Sequence, residues 1–338
     1  MNQSPRYARR NARVRRNSPR EPPFRRTLAE NGDGKLIKIQ KTDTIQLLRY
    51  SLATPVRTNN LLPMNGHPKS KINDLNLNDW KEYQDILTDS LWLIGERDKS
   101  GAHNNAYHGN FIPQIPNQLM RRFTKKGDVV LDAFLGNGTT LIESKRLGRH
   151  GIGIELLPEV ARSAIQNINR ELPNGEKTFT EVIVADSTTK EAREKTIDIL
   201  KKQNQKNVHL IVLHPPYHDI IKFSNKKEDL CNAGTVEEFT QKFGDVIENF
   251  TDLLDRNRYL AIVIGDKYTN SEWVPLGFYL MQETLKRGQG LKLKSILVKN
   301  MVNNRAKLNQ ENLWRYRALV GGFYIFKHEY ILVFKKTV

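Results

Sequence analysis

The sequence predicts an α/β protein whose doubly wound, mostly parallel sheet ends in an antiparallel C-terminal strand pair. From residue 125 onward, short apolar runs alternate with segments that have helical periodicity. Two of these runs end directly in glycine-rich or proline-rich turns, and the last two lie close together at the end of the chain. Strands that alternate with helices form parallel sheets, and such sheets bind ligands beyond the carboxyl ends of their strands.

The elements are predicted in a regular order along the chain. The expected strands lie at residues 129–132, 151–155, 181–185, 210–213 and 259–265. The expected helices lie at residues 139–147, 158–171, 192–201, 236–254 and 276–287. Residues 291–298 and 323–335 are expected to pair as strands around a polar insertion. Upstream, apolar residues at helical spacing from Trp80 to Leu91 predict an amphipathic helix that enters the main domain.

The chain is strongly basic, with 338 residues, a formal net charge of +17 and a pI near 9.8. A field of this sign favours a polyanionic partner, nucleic acid first. Nine arginines and one acid, Glu21, fall within residues 1–27, where prolines are frequent and apolar residues few, so this segment is expected to be disordered.

No membrane or secreted location is expected. No run approaches the ~20 apolar residues of a membrane span, and no apolar signal-peptide region is present at the N-terminus. The single cysteine, Cys231, excludes an internal disulfide framework and fits a reducing cytoplasm.

A glycine-rich turn follows the first strand of the main domain, in the run Asp132-Ala133-Phe134-Leu135-Gly136-Asn137-Gly138-Thr139-Thr140. Glycines are needed where the backbone turns tightly and a ligand approaches it closely. The spacing differs from the dinucleotide-binding G-x-G-x-x-G pattern, and the absence of a lysine excludes a P-loop. The next two strands end in Glu155 and Asp186, positions from which carboxylates can bind ribose hydroxyls and an adenine amino group.

A second turn, His214-Pro215-Pro216-Tyr217, follows the fourth strand. Two prolines stop the strand and hold a hydrogen-bond acceptor, a proline carbonyl and an aromatic ring at the carboxyl edge of the sheet. The exocyclic amino group of a nucleobase needs acceptors for its hydrogens and a ring on which the base can stack. A base that reaches such a pocket must leave its helix, at a cost of a few kcal/mol.

Together these turns resemble motifs I and IV of the S-adenosylmethionine-dependent DNA amino-methyltransferases, which modify N4 of cytosine or N6 of adenine. The segment from Tyr107 to Leu119 resembles motif X of the same family, which gives the unpermuted order X, I, IV. The resemblance implies a class I methyltransferase (Rossmann-like) fold and S-adenosylmethionine as the cofactor. The residues that it implies for cofactor binding are Phe111, Pro113, Asp132, Phe134, Gly136, Gly138, Thr139, Glu155 and Asp186.

The resemblance also implies that His214, Pro215, Pro216 and Tyr217 carry the transfer to the target base. The family usually has Asp, Asn or Ser at the first position, and here it is His214. A neutral imidazole has one acceptor nitrogen, whereas a protonated one repels an amino group, so activity is expected to fall on the acid side of the histidine titration. The slight preference is for N4-cytosine, because the acid typical of adenine enzymes is absent.

Sequence recognition is expected from the polar insertion at residues 300–318, where Arg305, Lys307, Arg315 and Arg317 are candidates for contacts with DNA. A merely solvated connection between two strands is the alternative. The expected organisation is an Arg-rich tail at residues 1–35, an extension and linker at 36–90 that could contact DNA, and a methyltransferase domain at 91–338.

The function expected is therefore methylation of double-stranded DNA on a flipped base, in a restriction–modification setting. Methylation of an RNA base, or a non-catalytic nucleic-acid-binding subunit, stays open as an alternative. Methylation at cytosine C5 is not expected, because Cys231 does not follow a proline. No metal is expected at His214, His218 and Asp219, since the proline turn denies them a shared helical face.

Overall fold

The computed structural model of the protein describes residues 28–30, 36–38, 72–104, 107, 109–173, 175–301 and 311–338. The chain divides into two compact units, Met1–Asn65 and Gly66–Val338. In the first unit, strands β1 (Leu28–Glu30) and β2 (Leu36–Lys38) form an antiparallel ladder with Leu28 opposite Lys38. The arginines of residues 1–27 lie outside the described residues.

The second unit alternates strands and helices in the predicted order. Its first half comprises β3 (Leu91–Trp92), α1 (Gln114–Phe123), β4 (Val129–Asp132), α2 (Thr139–Arg146), β5 (His150–Glu155), α3 (Pro158–Arg170), β6 (Thr180–Val184) and α4 (Lys190–Lys202). Its second half comprises β7 (Val208–Leu213), α5 (Val236–Thr251), β8 (Leu254–Ile264), β9 (Lys267–Thr269), β10 (Glu272–Val274), α6 (Leu276–Arg287), β11 (Leu291–Asn300), α7 (Glu311–Gly321) and β12 (His328–Lys336).

Eight strands form one sheet in the order β3-β11-β12-β8-β7-β4-β5-β6. The five strands from β8 to β6 are parallel to one another, whereas β12 is antiparallel to both β8 and β11. The predicted α/β class, with its mostly parallel sheet and antiparallel C-terminal pair, is confirmed. The chain runs outward from β4 through β5 to β6 and then returns to the other side of β4 as β7. The gap between β4 and β7 is thus a topological switch point, where such sheets bind ligands.

Residues on neighbouring positions of the central strands pack on opposite faces of this sheet. Leu131 and Ile211 belong to the core that covers one face with the phenylalanines of α5, whereas Val130 and Val212 belong to the core beneath α1. Both faces are covered, which explains why β4 and β7 are continuous apolar runs rather than alternating ones. The two buried faces fix the carboxyl ends of β4 and β7 next to each other.

The amphipathic helix predicted from Trp80 to Leu91 is wrong. The structure has a short 3-10 helix at Leu77–Glu82, then an irregular segment that leads into β3, and Trp80 is 64% exposed. The side chain of Gln118 in α1 accepts a hydrogen bond from the Leu87 N–H and donates one to the Asp85 carbonyl. These bonds satisfy the backbone of the segment without a helix, a long-range effect that periodicity cannot report.

Two further boundaries differ from the predicted ones. The polar insertion contains a helix, α7, and the last strand begins at His328 rather than at residue 323. Strand β8 begins at Leu254, inside the helix predicted for residues 236–254, because α5 already ends at Thr251. Among the described residues, no helix is both long and apolar enough to cross a membrane.

Candidate functional site

The glycine turn after β4 and the proline turn after β7 line one cavity of about 410 Å³ at the switch point. The lining includes residues that precede α1, the ends of β5 and β6, and the ends of β11 and β12. Ten of the predicted site residues line it: Phe111, Phe134, Gly136, Thr139, Glu155, Asp186, His214, Pro215, Pro216 and Tyr217. The predicted cofactor residues Pro113, Asp132 and Gly138 do not line the cavity.

Gly136 and Gly138 form the glycine turn through backbone conformations that favour glycine, with φ of +52° and +91°. A Cβ at Gly136 would lie 3.3 Å from the ring of Tyr107, and one at Gly138 would lie 3.2 Å from Ile168. The first glycine therefore keeps the cavity open, while the second allows α2 to pack closely against α3.

Asp132 shapes this turn from beneath rather than from the cavity. Its carboxylate is fully buried and accepts hydrogen bonds from the Phe134 N–H at 2.9 Å and the Thr140 hydroxyl at 2.5 Å. Burial raises the pKa of Asp132 to about 6, against the two hydrogen bonds that lower it. The sequence-predicted role in cofactor binding thus becomes, at most, an indirect one.

Glu155 connects the glycine turn to the end of β5. One carboxylate oxygen accepts from the Gly136 N–H and the other from the Leu157 N–H, both at 2.9 Å. Burial raises the pKa of Glu155 to about 7, and the two backbone hydrogen bonds oppose that rise. Each oxygen keeps a second lone pair, so the carboxylate can still accept hydrogen bonds from hydroxyl groups inside the cavity.

Asp186 lies at the end of β6 on the same side of the cavity. One of its carboxylate oxygens, Oδ1, accepts from both the N–H and the hydroxyl of Thr188, at 2.9 and 2.8 Å. Among the described residues, its other oxygen receives no hydrogen bond. That oxygen is therefore available to a donor on a bound ligand.

The segment before α1 lines the cavity beside both turns. Phe111 is buried and packs edge-on against the His214 ring, with ring centroids 4.8 Å apart. Asn110 presents a buried side-chain nitrogen that has no partner among the described residues, an arrangement that calls for an acceptor from a ligand. Pro113 caps the N-terminus of α1 instead. Sequence reasoning did not single out Asn110, because its importance follows only from the closeness of the two turns.

His214 and Tyr217 meet at the far end of the cavity. The His214 Nε2 lies 3.3 Å from the Tyr217 hydroxyl, and the two rings are nearly perpendicular. Burial lowers the pKa of His214 to about 4, with Glu329 raising it and Lys299 lowering it to smaller extents. The imidazole is therefore neutral near pH 7.

Glu329 and Lys299 stand behind Tyr217, and the sequence did not indicate them as site residues. The Tyr217 hydroxyl donates to Glu329 at 2.8 Å, and the Lys299 ammonium donates to the other oxygen of Glu329 at 2.7 Å. The two charged residues are directly opposite on β11 and β12 and only 5% and 6% exposed. Their signal was an oppositely charged pair facing inward on two neighbouring strands, which can be recognised only once the strand register is known.

The loop after the proline turn is fixed by a second set of polar contacts. His218 faces the carbonyl of Ala233 through Nε2 at 2.9 Å, and Lys267 donates to its Nδ1 at 2.8 Å. Lys267 also pairs with Asp219 at 2.6 Å. His218 and Asp219 are thereby engaged in holding the loop, and no group of three or more metal-binding side chains occurs in the part of the chain that the structure describes.

Two of the four residues predicted to contact nucleic acid lie among the described residues. Arg315 and Arg317 lie exposed on α7, with the Arg317 guanidinium 5.4 Å from the centre of the Trp314 ring. Arg305 and Lys307 lie outside the described residues. Cys231 is buried, and it accepts a hydrogen bond from the Phe223 N–H.

Comparison with known proteins gives one family match. Residues 28–166 match the family model described as DNA methylase. The type II methyltransferase M.MjaII of Methanocaldococcus jannaschii is 28% identical over 139 residues, which is 38% of this chain and 24% of that protein. The type II methyltransferase M2.DpnII of Streptococcus pneumoniae is 36% identical over 99 residues, which is 28% of this chain and 34% of that protein.

The alignments span roughly a quarter to two-fifths of the length of the curated relatives, 24%, 34% and 40% for the first three. Among solved structures, TrmN from Thermus thermophilus is 14% identical with a TM-score of 0.40, and the match covers 68% of this chain and 50% of that one. The family match thus covers 139 of the 338 residues, and the relatives M.MjaII and M2.DpnII are both type II methyltransferases.

Proposed function

We propose that the protein transfers a methyl group from S-adenosylmethionine to the exocyclic amino group of a base in double-stranded DNA. The observation that carries the proposal is that the glycine turn with Glu155 and the turn from His214 to Tyr217 line the same cavity. One end of the cavity has the groups that a nucleoside cofactor needs, and the other has those that a planar amino base needs. The family match over residues 28–166 supports the same function.

The residues at the glycine turn fit S-adenosylmethionine on the structure's own terms. Gly136 leaves space that a Cβ would fill, and Glu155 and Asp186 turn free acceptor positions toward the cavity. The orphaned amide nitrogen of Asn110 suits an anionic group such as the cofactor's carboxylate. In the proposed site Glu155 holds the ribose hydroxyls and Asp186 holds the adenine amino group.

The far end of the cavity orients the target base. When bound, S-adenosylmethionine would supply a methyl group on a cationic sulfur. The amino nitrogen of the base would accept that methyl group, and the proton released from the nitrogen would pass to water. His214 and the carbonyl of a proline accept hydrogen bonds from the amino group. These bonds turn the nitrogen lone pair away from the two acceptors and toward the methyl group. Tyr217 offers a ring face for stacking, which is worth ~1–3 kcal/mol per base. Phe111 and the two prolines line the cavity, and positioning and exclusion of water are expected to supply most of the rate.

The target base has to leave the duplex to enter this cavity. N4 of cytosine is the preferred target, because a neutral His214 stands where adenine enzymes usually have an acid. Arg315 and Arg317 on the exposed face of α7 provide contacts with phosphates or base edges. The type II methyltransferase relatives favour a role in a restriction–modification system.

The test is the identity of the modified nucleoside. The protein is incubated with tritiated S-adenosylmethionine and either duplex DNA or total RNA, and the nucleic acid is digested to nucleosides. Labelled N4-methylcytosine from DNA is the expected product, and N6-methyladenine would keep the enzyme class but correct the base. Label found in RNA alone, or binding of DNA without any transfer, would overturn the proposal.

A further inference from the structure

Four side chains form a continuous polar chain from the cavity into the sheet. His214 Nε2 lies 3.3 Å from the Tyr217 hydroxyl, which lies 2.8 Å from Glu329, which in turn lies 2.7 Å from the Lys299 ammonium. The chain joins the end of β7 to β12 and then to β11. Glu329 and Lys299 are nearly inaccessible to solvent, so their pairing is screened little by water.

The direction of each hydrogen bond between these four side chains follows from the chemistry of Lys299 and Glu329. An ammonium can only donate, and an ionised carboxylate can only accept. Glu329 therefore receives the single hydroxyl proton of Tyr217, as well as a proton from Lys299. The Tyr217 oxygen is then left with lone pairs alone for its other neighbour, His214.

The protonation of His214 is decided by that remaining bond. A neutral imidazole carries its proton on one nitrogen and a lone pair on the other. Next to an accepting hydroxyl oxygen, Nε2 has to be the protonated nitrogen, so Nδ1 carries the lone pair. Among the described residues Nδ1 has no hydrogen-bond partner, and the His214 side chain lines the cavity.

We propose that Glu329 and Lys299 act through Tyr217 as positioning residues that hold His214 in its Nε2–H tautomer, which leaves Nδ1 as the acceptor for the target amino group. The role of Nδ1 rests on the proposed function, whereas the tautomer itself does not. The arrangement lets a histidine replace the side-chain oxygen that the first position of this turn usually supplies. It also gives the Tyr217 hydroxyl a role of its own, in addition to the stacking of the ring.

The groups around the imidazole are consistent with a fixed neutral tautomer. Lys299 and Glu329 approach from β11 and β12 and largely offset one another, and the edge of the Phe111 ring packs against it from the segment before α1. The ring of Tyr217 packs closely against Gly265, the residue that follows β8, since a Cβ on Gly265 would lie 2.7 Å from that ring. A small movement of the Tyr217 ring, which would carry its hydroxyl away from His214 and Glu329, is thus sterically opposed.

Nitrogen NMR of the full-length protein labelled with ¹⁵N-histidine tests the tautomer without any turnover. The spectrum of His214→Asn, which lacks one pair of signals, assigns His214 among the eight histidines. At pH 7 the expected spectrum has a protonated Nε2 and an unprotonated Nδ1. A protonated Nδ1, or a doubly protonated ring, would overturn the proposal.

Two variants test the relay. Glu329→Gln can donate its amide hydrogen to Tyr217, which reverses the hydroxyl and is expected to shift His214 toward the Nδ1–H form. Tyr217→Phe keeps the ring but removes the hydroxyl, and it is expected to lower kcat about tenfold, the equivalent of one hydrogen bond, with KM for DNA little changed. Tyr259→Phe, on β8 and outside this cavity, is the control.

The outcomes separate the two proposals. Parent-like tautomer signals in Glu329→Gln, or parent-like kcat in Tyr217→Phe, would overturn the relay. Absence of transfer to DNA by the parent protein would instead overturn the proposed function, while the parent spectrum still decides the tautomer. A smaller effect of Tyr217→Phe in the His214→Asn background than in the parent would support action through the imidazole.

Discussion

The two ends of the cavity bury polar groups by different means. At the glycine turn, Asp132 and Glu155 are carboxylates whose hydrogen bonds come from backbone N–H groups and one threonine hydroxyl. At the proline turn, His214 is an imidazole, and a lysine–glutamate pair lies behind it. Burial disfavours charge at both ends, so it raises the pKa of the two acids and lowers that of the histidine.

This difference teaches that the cavity and the turn beneath it can respond to pH in two separate ranges. The acids titrate near pH 6 and 7, whereas His214 titrates near pH 4. The expectation that activity falls at the ordinary histidine pKa is therefore moved to more acid conditions. Binding of the cofactor and transfer to the base should accordingly be separable by mutation and by pH.

The largest effect is expected at the proline turn. Tyr217→Ala removes the stacking surface and the hydroxyl that orients His214, and we expect turnover to fall by ~1,000-fold. The dissociation constant for S-adenosylmethionine, measured by calorimetry, should change by less than about threefold, because the glycine turn is untouched. An equal loss of cofactor affinity would show that the two ends are not independent.

The next effect is expected at the glycine turn. Gly136→Asp places a carboxylate beside Glu155 and a side chain against Tyr107, and we expect cofactor affinity to fall by ~100-fold. Gly127→Asp is the matched control, because Gly127 also has a positive φ, of +79°, but open space around its Cβ position. Both variants carry the backbone cost of ~1–2 kcal/mol in stability. Comparable cofactor affinities in the two variants would refute the placement of Gly136 in the site.

A moderate effect is expected from pH alone. Glu155 loses its charge as the pH falls through about 7, so the carboxylate that holds hydroxyl groups becomes a weaker acceptor. We expect cofactor affinity to fall by about tenfold between pH 8 and pH 6 in the parent, while Glu155→Gln binds more weakly but without that dependence. Turnover at saturating cofactor should stay level across this range, since His214 is already neutral. A flat binding profile in the parent would contradict the assignment of Glu155.

The smallest effect is expected beneath the glycine turn. Asp132→Asn keeps an acceptor for the Phe134 N–H and can donate to Thr140, so its stability should lie within about 1 kcal/mol of the parent. Asp132→Ala leaves the Phe134 N–H and the Thr140 hydroxyl without their acceptor and should lower the free energy of unfolding by ~2–3 kcal/mol. Burial raises the pKa of Asp132 in the folded protein, so the parent loses stability as the pH rises through about 6. Asp132→Asn carries no such charge, so its Tm minus that of the parent should be larger at pH 8 than at pH 5. An equal difference in Tm at the two pH values would contradict the cost of ionising Asp132 in the folded protein.

The two ends also differ in how far the sequence could predict them. The side-chain carboxylates of Asp132 and Glu155 accept hydrogen bonds from residues at most 19 positions away, such as Gly136 for Glu155, so the spacing of the glycine turn and the acid after the next strand indicated them. Glu329, which accepts from Tyr217, lies 112 positions away from it, and Lys299, which pairs with Glu329, lies 82 positions away, on strands whose register the sequence does not reveal. For the same reason the fold class was predictable from local periodicity, whereas the segment from Trp80 to Leu91 was not, since Gln118 decides its backbone hydrogen bonding.

The position of β12 between β8 and β11 has a consequence for the order of folding. Glu329 reaches Tyr217 from 112 positions away along the sequence, so this contact forms only when β12 has paired with β8 and β11. A folding intermediate that lacks β12 can already form the bond between Gly136 and Glu155, which are 19 positions apart, but it has no carboxylate at the Tyr217 hydroxyl. The proline turn is thus expected to become ordered later in folding than the glycine turn.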